Sequence, residues 1–183
     1  MTAGETRSEI ELLSESLGDR LAAARTYLER VGFGARATLD HIGVQTYSPA
    51  DYERLRDSYR TQLRFLSERV AGGRRITNFA MHRHLPGQNE DPPPFLELFE
   101  PTEAQLDAGR QPWLWHLAFV DERIGQDSTL LEQTGAEILW QLEVGSKKVV
   151  FLAGPQGQEI EIASESLESR GPAEGDSAAR RRA

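Results

Sequence analysis

Residues 39–44 read "LDHIGV" and residues 113–120 read "WLWHLAFV". Each is a short apolar run of strand type that carries one histidine, His41 in the first and His116 in the second. Each is answered later by a glutamate in another apolar run. Glu97 lies in "FLELFEP" (95–101) and Glu161 in "GQEIEIA" (157–163), after similar lengths of chain. A His/Glu pair used twice is the pattern of a duplicated module that builds one metal site between its copies.

Side chains alternate across a strand. In the first run Ile42 and Val44 face one way, and His41, Gly43 and Gln45 the other. In "FLELF", Leu96 and Leu98 share a face and Glu97 lies opposite. In "WHLAF", Trp115, Leu117 and Phe119 share a face and His116 lies opposite. In "EIEI", Ile160 and Ile162 share a face, and Glu159 and Glu161 lie opposite. Four strands thus offer an apolar face for helices to cover and a polar residue on the other. Curving such a sheet gathers the polar residues in a cup. A carboxylate there is costly unless it is paired or bound to a metal. Two neutral imidazoles and two carboxylates carry a formal charge of −2. That balances a divalent cation and suits Mn, Co, Ni, Zn or Fe(II).

The elements between these strands repeat in the same order. "ATLDHIGVQT" reads as a strand, and Ser48 or Asp51 caps a helix from about Pro49 to Leu63. "FLSERVA" and the longer "RRITNFAMHRHL" read as strands around a "GG" turn, and "PGQNEDPPP" as a loop. The second copy reads as the strand "LWHLAFVD", a helix from about Arg123 to Gln133 and the strand "AEILWQLEV". A turn "GSKK", a strand "VVFLAG", a turn "PQGQ" and the strand "EIEIA" complete it. Both copies are βαβββ. Ahead of them, Leu13, Leu17, Leu21, Ala24 and Leu28 recur at helical spacing. Gly18 is expected to break or kink this helix, and Gly32 or Gly34 to cap its end. The expected organisation is a helical extension over 1–36, one domain over 37–165 with modules at about 37–101 and 112–165, and a disordered tail over 166–183.

Composition narrows the class. With 183 residues, 38% of them hydrophobic, the chain suffices for one domain with a real core and is short for two. There is no cysteine, which excludes thiolate metal sites, so any metal is held by histidine, carboxylate, amide or water. The net charge of −8 argues against nucleic acid as partner. The sequence has no apolar run long enough for a membrane span and no secretory signal, so a cytoplasmic protein is expected.

These motifs, in this order, resemble the vicinal oxygen chelate superfamily, which includes glyoxalase I, bleomycin-resistance proteins and extradiol dioxygenases. "LDHIGV", "LELFEP", "WHLAFV" and "GPQGQEIEI" are similar to its first, fourth, fifth and closing strands. Within the superfamily two comparisons stand out. "GSKKVVFLAGPQGQEIEI" and "ELFEP" resemble methylmalonyl-CoA epimerases. The N-terminal helices, "GGRRITNFAMHRHLPGQ" and "LWHLAFV" resemble the YecM-like metal-binding proteins. The resemblance implies an α+β fold of two βαβββ modules in a cupped, mostly antiparallel sheet. It implies a divalent metal held by His41, Glu97, His116 and Glu161, and the closing turn selects Glu161 over Glu159. It implies a homodimer and a small oxygen-chelating substrate, isomerised, epimerised or cleaved through an enediolate or enolate. Glu97 or Glu161 would move the proton, with His82 or His84, which alternation aims into the cup, as further acid–base candidates. The alternative is a non-catalytic protein on the same fold that sequesters a small molecule.

Overall fold

The computed structural model describes residues 9–81, 93–107, 114–127, 129–144, 147–167 and 181–182. The first module is β1 (Thr38–Gln45), α2 (Pro49–Gln62), β2 (Arg64–Ala71), β3 (Arg74–Ala80) and β4 (Phe95–Phe99), preceded by helix α1 (Glu9–Arg30). A one-turn helix α3 (Glu103–Asp107) leads to the second module. That module is β5 (Leu114–Val120), α4 (Arg123–Gln126), α5 (Leu130–Gln133), β6 (Ile138–Val144), β7 (Lys147–Ala153) and β8 (Glu159–Ala163). The eight strands form one sheet in the order β2-β3-β4-β1-β5-β8-β7-β6, and the two-residue strand Arg181–Arg182 adds at the β6 edge. β1 runs parallel to β4, and β5 parallel to β8. The modules join where β1 and β5 pair antiparallel in the middle of the sheet. The expected α+β fold of two βαβββ modules is present.

One face of the sheet is apolar and lies against the helices. Ile42, Val44, Leu96, Leu98, Leu117 and Phe119 share a buried core with Leu13, Leu17 and Leu21 of α1 and Tyr52, Leu55 and Tyr59 of α2. Burial of this kind stabilises by roughly 1.5–3 kcal/mol per large side chain, which is why the helices stay on the sheet.

Three local expectations change. Gly18 does not break α1, because the apolar stripe Leu13, Leu17, Leu21, Ala24 and Leu28 continues through it and all five are buried. Gly18 itself is exposed, with open space where a Cβ would sit. Gly18→Ala is therefore expected to raise stability by about 0.5–1 kcal/mol, read as a higher Tm. The helix expected over 123–133 is instead α4 and α5. Asp127 Oδ1 accepts from the Thr129 amide at 2.9 Å and hydroxyl at 2.8 Å, a local alternative to helical bonding. Lys147 and Lys148 begin β7 rather than sitting in a turn.

Both open capping alternatives resolve. Ser48 caps α2, accepting from the Asp51 amide at 3.1 Å with Pro49 in the first turn. Gly32, at φ +92°, ends α1. The Phe33 amide reaches back to the Leu28 carbonyl (2.9 Å) and the Gly32 amide to Glu29 (3.3 Å), the two bonds of a Schellman motif. Packing runs beyond residue 165: Leu167 is buried against Ala80 and Phe95. Residues 168–180 of the expected tail, and the "PGQNEDPPP" loop, lie outside the described residues, apart from Pro93 and Pro94. Among the described residues no helix is long and apolar enough to cross a membrane.

Candidate metal centre

On the other face, the four strands β4, β1, β5 and β8 bring His41, Glu97, His116 and Glu161 together. One ligand-capable atom of each lies within 4.8 Å of the others, and all four side chains are buried. His41 Nε2 is 3.3 Å from Glu97 Oε2, 3.7 Å from Glu161 Oε2 and 3.4 Å from His116 Nε2. His116 Nε2 is 3.5 Å from Glu161 Oε2. Donors held about 2.1 Å from one metal ion stand roughly 3–3.5 Å from their neighbours, and the four separations above, 3.3–3.7 Å, come close to that.

Electrostatics make the same point. Burial pushes the His41 imidazole toward neutrality, but the Glu161 and Glu97 carboxylates outweigh it, and its pKa lies well above the ordinary value. His116 goes the other way: burial dominates and lowers it to about 4 despite Glu161. Glu97 falls to about 2, because His41 and Arg69 outweigh the cost of burial. In the metal-free site the His41 imidazolium and, on Glu97, the Arg69 guanidinium face the two buried carboxylates, and a divalent cation would take the place of the His41 proton between them. The donor chemistry fits such a metal.

The two oxygens of Glu97 have separate partners. Oε2 faces His41, while Oε1 accepts from Arg69 Nη2 at 3.1 Å. The Asn78 amide, its orientation assigned from the hydrogen-bond network, donates to the same Oε1 at 3.1 Å and accepts from Arg69 Nη1 at 2.7 Å. Glu97 is therefore anchored from behind, with one oxygen left toward the centre.

Both histidine strands carry an extra residue immediately before the histidine. Pairing runs Leu39↔Phe119 then His41↔Ala118, and Gly43↔His116 then Val44↔Leu114. Asp40 and Trp115 are the bulged residues, and a bulge re-aims side chains locally. Trp115 therefore does not share the face of Leu117 and Phe119, as alternation predicted. Its ring lies 5.0 Å from His116 and 4.9 Å from Phe99, on the cup side. Phe151, 5.4 Å from His116, continues this aromatic wall to Trp140, stacked on it at 3.8 Å. Arg74 lies over Trp115 and Phe99 at 4.5 and 4.6 Å.

Asp40 is the residue that sequence reasoning passed over. It is buried, and its Oδ2 lies 2.8 Å from His41 Nδ1. The available signal was an aspartate next to a histidine in an apolar strand, since a buried carboxylate demands donors. Gly43 faces His116 across the strand pair. A Cβ at Gly43 would fall inside the imidazole, within 2.5 Å of both ring nitrogens, so glycine is required there for room.

Other candidates separate from the cluster. Glu159 is not in it. Glu100, just after β4, also lies outside the cluster and pairs with Arg75, its Oε1 2.7 Å from Nη2. His82 and His84 lie outside the described residues.

No family model and no curated protein matches the chain. Solved structures do. A structural-genomics protein designated EC4020 is 19% identical with a TM-score of 0.61, over 92% of this chain and 95% of that one. The hypothetical protein BH1468 from Bacillus halodurans C-125 is 19% identical with a TM-score of 0.52, over 76% and 99%. A methylmalonyl-CoA epimerase, solved with methylmalonyl-CoA and ammonium, is 20% identical with a TM-score of 0.52, over 73% and 97%. At these identities the likeness is one of fold alone: this chain shares its fold with these three proteins, one of them a methylmalonyl-CoA epimerase.

Proposed function

We propose that this protein is a metal-dependent enzyme that isomerises, epimerises or cleaves a small substrate bearing adjacent oxygens, through an enediolate or enolate. The observation that supports this reading most is the buried His41–Glu97–His116–Glu161 cluster at the seam of the two modules. A divalent metal held by these four side chains supplies Lewis acidity, stabilising negative charge that develops on substrate oxygens.

The chain's own residues divide the remaining work. Glu97 is the fixed carboxylate. Arg69 and Asn78 hold its Oε1, so it is the less free of the two carboxylates to move a proton. Proton transfer is therefore assigned to Glu161, whose Oε2 faces both histidines. The half-buried Trp115 and Trp140 with Phe151 give the substrate an apolar wall beside His116 and exclude water. The same wall suits the second reading, a protein that sequesters a flat small molecule without turning it over.

Metal content and one substitution separate these. Wild-type protein refilled with Mn, Co, Ni, Zn or Fe(II) is expected to hold one ion per chain. Glu161→Gln is expected to stay folded, by circular dichroism, while losing metal affinity or turnover. A protein that takes up no stoichiometric metal, or an unaltered Glu161→Gln variant, would sink the enzyme reading.

A further inference from the structure

The two modules repeat a bulge but fill it differently. Before His41 the bulged residue is Asp40, and before His116 it is Trp115. The consequence is at the far nitrogens of the rings. His41 Nδ1 meets the Asp40 carboxylate, whereas His116 Nδ1 is buried with no hydrogen-bond partner among the described residues. Asp40 is itself held. Oδ1 accepts from the Ser166 hydroxyl, and Oδ2 from the Leu167 amide at 2.9 Å. Leu167 is anchored in its turn, being buried with Ala80 and Phe95. A chain of contacts thus runs from the segment after β8 through Asp40 to His41.

We infer that Asp40, clamped by Ser166 and the Leu167 amide, is a positioning residue that fixes the ring of His41, so that His41 is the rigid imidazole of the centre and His116 the adjustable one. An ionised carboxylate only accepts, so a neutral His41 must carry its proton on Nδ1 to satisfy Asp40. That leaves the Nε2 lone pair aimed at Glu97, Glu161 and His116. A partner on the outer nitrogen orients a ligating histidine and raises its basicity. His116 has no such partner on its outer nitrogen, and on that side its ring rests on packing against Trp115, Phe99 and Phe151. The inference rests on the reading of the four residues as a metal centre. It adds that residues 166–167, beyond the last module strand, belong to that centre's support.

The test uses full-length protein labelled with 15N-histidine, with and without Zn2+. The chain has four histidines, so each ring resolves, and His41→Gln and His116→Gln variants assign the two that matter. The His41 Nδ1–H is expected to exchange slowly with solvent in both forms, and any imidazole N–H of His116 faster. Asp40→Ala is expected to weaken Zn2+ binding about 10–100-fold and to speed His41 exchange while leaving His116 signals unchanged. Asp40→Asn retains an acceptor and should recover most of the affinity, and Ser166→Ala should lose a smaller part. A purely structural role would lower Tm without singling out the His41 proton. A folded Asp40→Ala with Zn2+ affinity within twofold of wild type and unaltered His41 exchange overturns the inference. Should Asp40→Ala fail to fold, Ser166→Ala decides, and unchanged His41 exchange in it overturns the clamp. Wild-type protein that binds no Zn2+ yet shows a protected His41 Nδ1–H overturns the metal reading and upholds the tether.

Discussion

Gly43→Ala is expected to abolish tight metal binding and to destabilise the fold by about 1–3 kcal/mol, the usual cost of forcing extra volume into a packed interior. The cause is space and not backbone freedom, because Gly43 is absent from the positive-φ glycines. Its Cα is paired with that of His116, and a methyl there would occupy the imidazole itself. The ring must swing out, taking its Nε2 away from His41 and Glu161. Isothermal titration with Zn2+ and thermal melting read the two effects. A double-mutant cycle isolates the cause. In a His116→Ala background the added methyl meets no ring, so the stability cost of Gly43→Ala should vanish. A Gly43→Ala variant with wild-type metal affinity would refute the geometry.

The second large effect is on pH. In metal-free protein three groups of the four-residue cluster shift, and their signs differ. His41 is raised, so the folded state holds its proton more tightly than the unfolded chain. That contribution is complete below about pH 6.5 and is lost as pH rises through the elevated value. His116 is lowered to about 4, so the unfolded chain takes up its proton first as the solution is acidified. Stability then falls between pH 6.5 and 4, by about 3 kcal/mol from this group. Glu97, lowered to about 2, adds a further loss as pH drops from its ordinary 4.5 toward 2. Urea unfolding without metal is therefore expected to show greatest stability near pH 6.5, declining on both sides. Saturating Zn2+ replaces the His41 proton and should flatten the alkaline side. A metal-free protein whose stability rises steadily from pH 6.5 to 9 would contradict the assignment.

Alternation put Glu97, and Glu159 and Glu161 alike, on the cup face because β4 and β8 pair with their neighbours without interruption, and the resemblance of the closing turn chose Glu161 between the last two. Alternation located His41 and His116 because each extra residue precedes the histidine and leaves the following positions in phase. It failed at Trp115, and it gave no hint of Asp40's role, for one reason. Bulged residues follow no period, and no residue type in one sequence marks them. Gly18 misled for another reason. Its local preference costs about 1 kcal/mol, which the buried leucines on either side exceed several times over. The asymmetry between the two histidines is likewise a tertiary property, since Ser166 and Leu167 approach Asp40 from the opposite end of the domain.

The antiparallel contact of β1 with β5 is also the joint between the two copies, and the four charged or titratable groups divide evenly across it. Severed anywhere between residues 100 and 114, the chain would leave two fragments, each with one histidine and one glutamate of the set and each with a bare strand edge. Neither fragment alone is a competent chelator. On the proposed metal reading, ion capture would be a property of the closed joint, and a bound ion would in turn rivet shut the seam that created its berth.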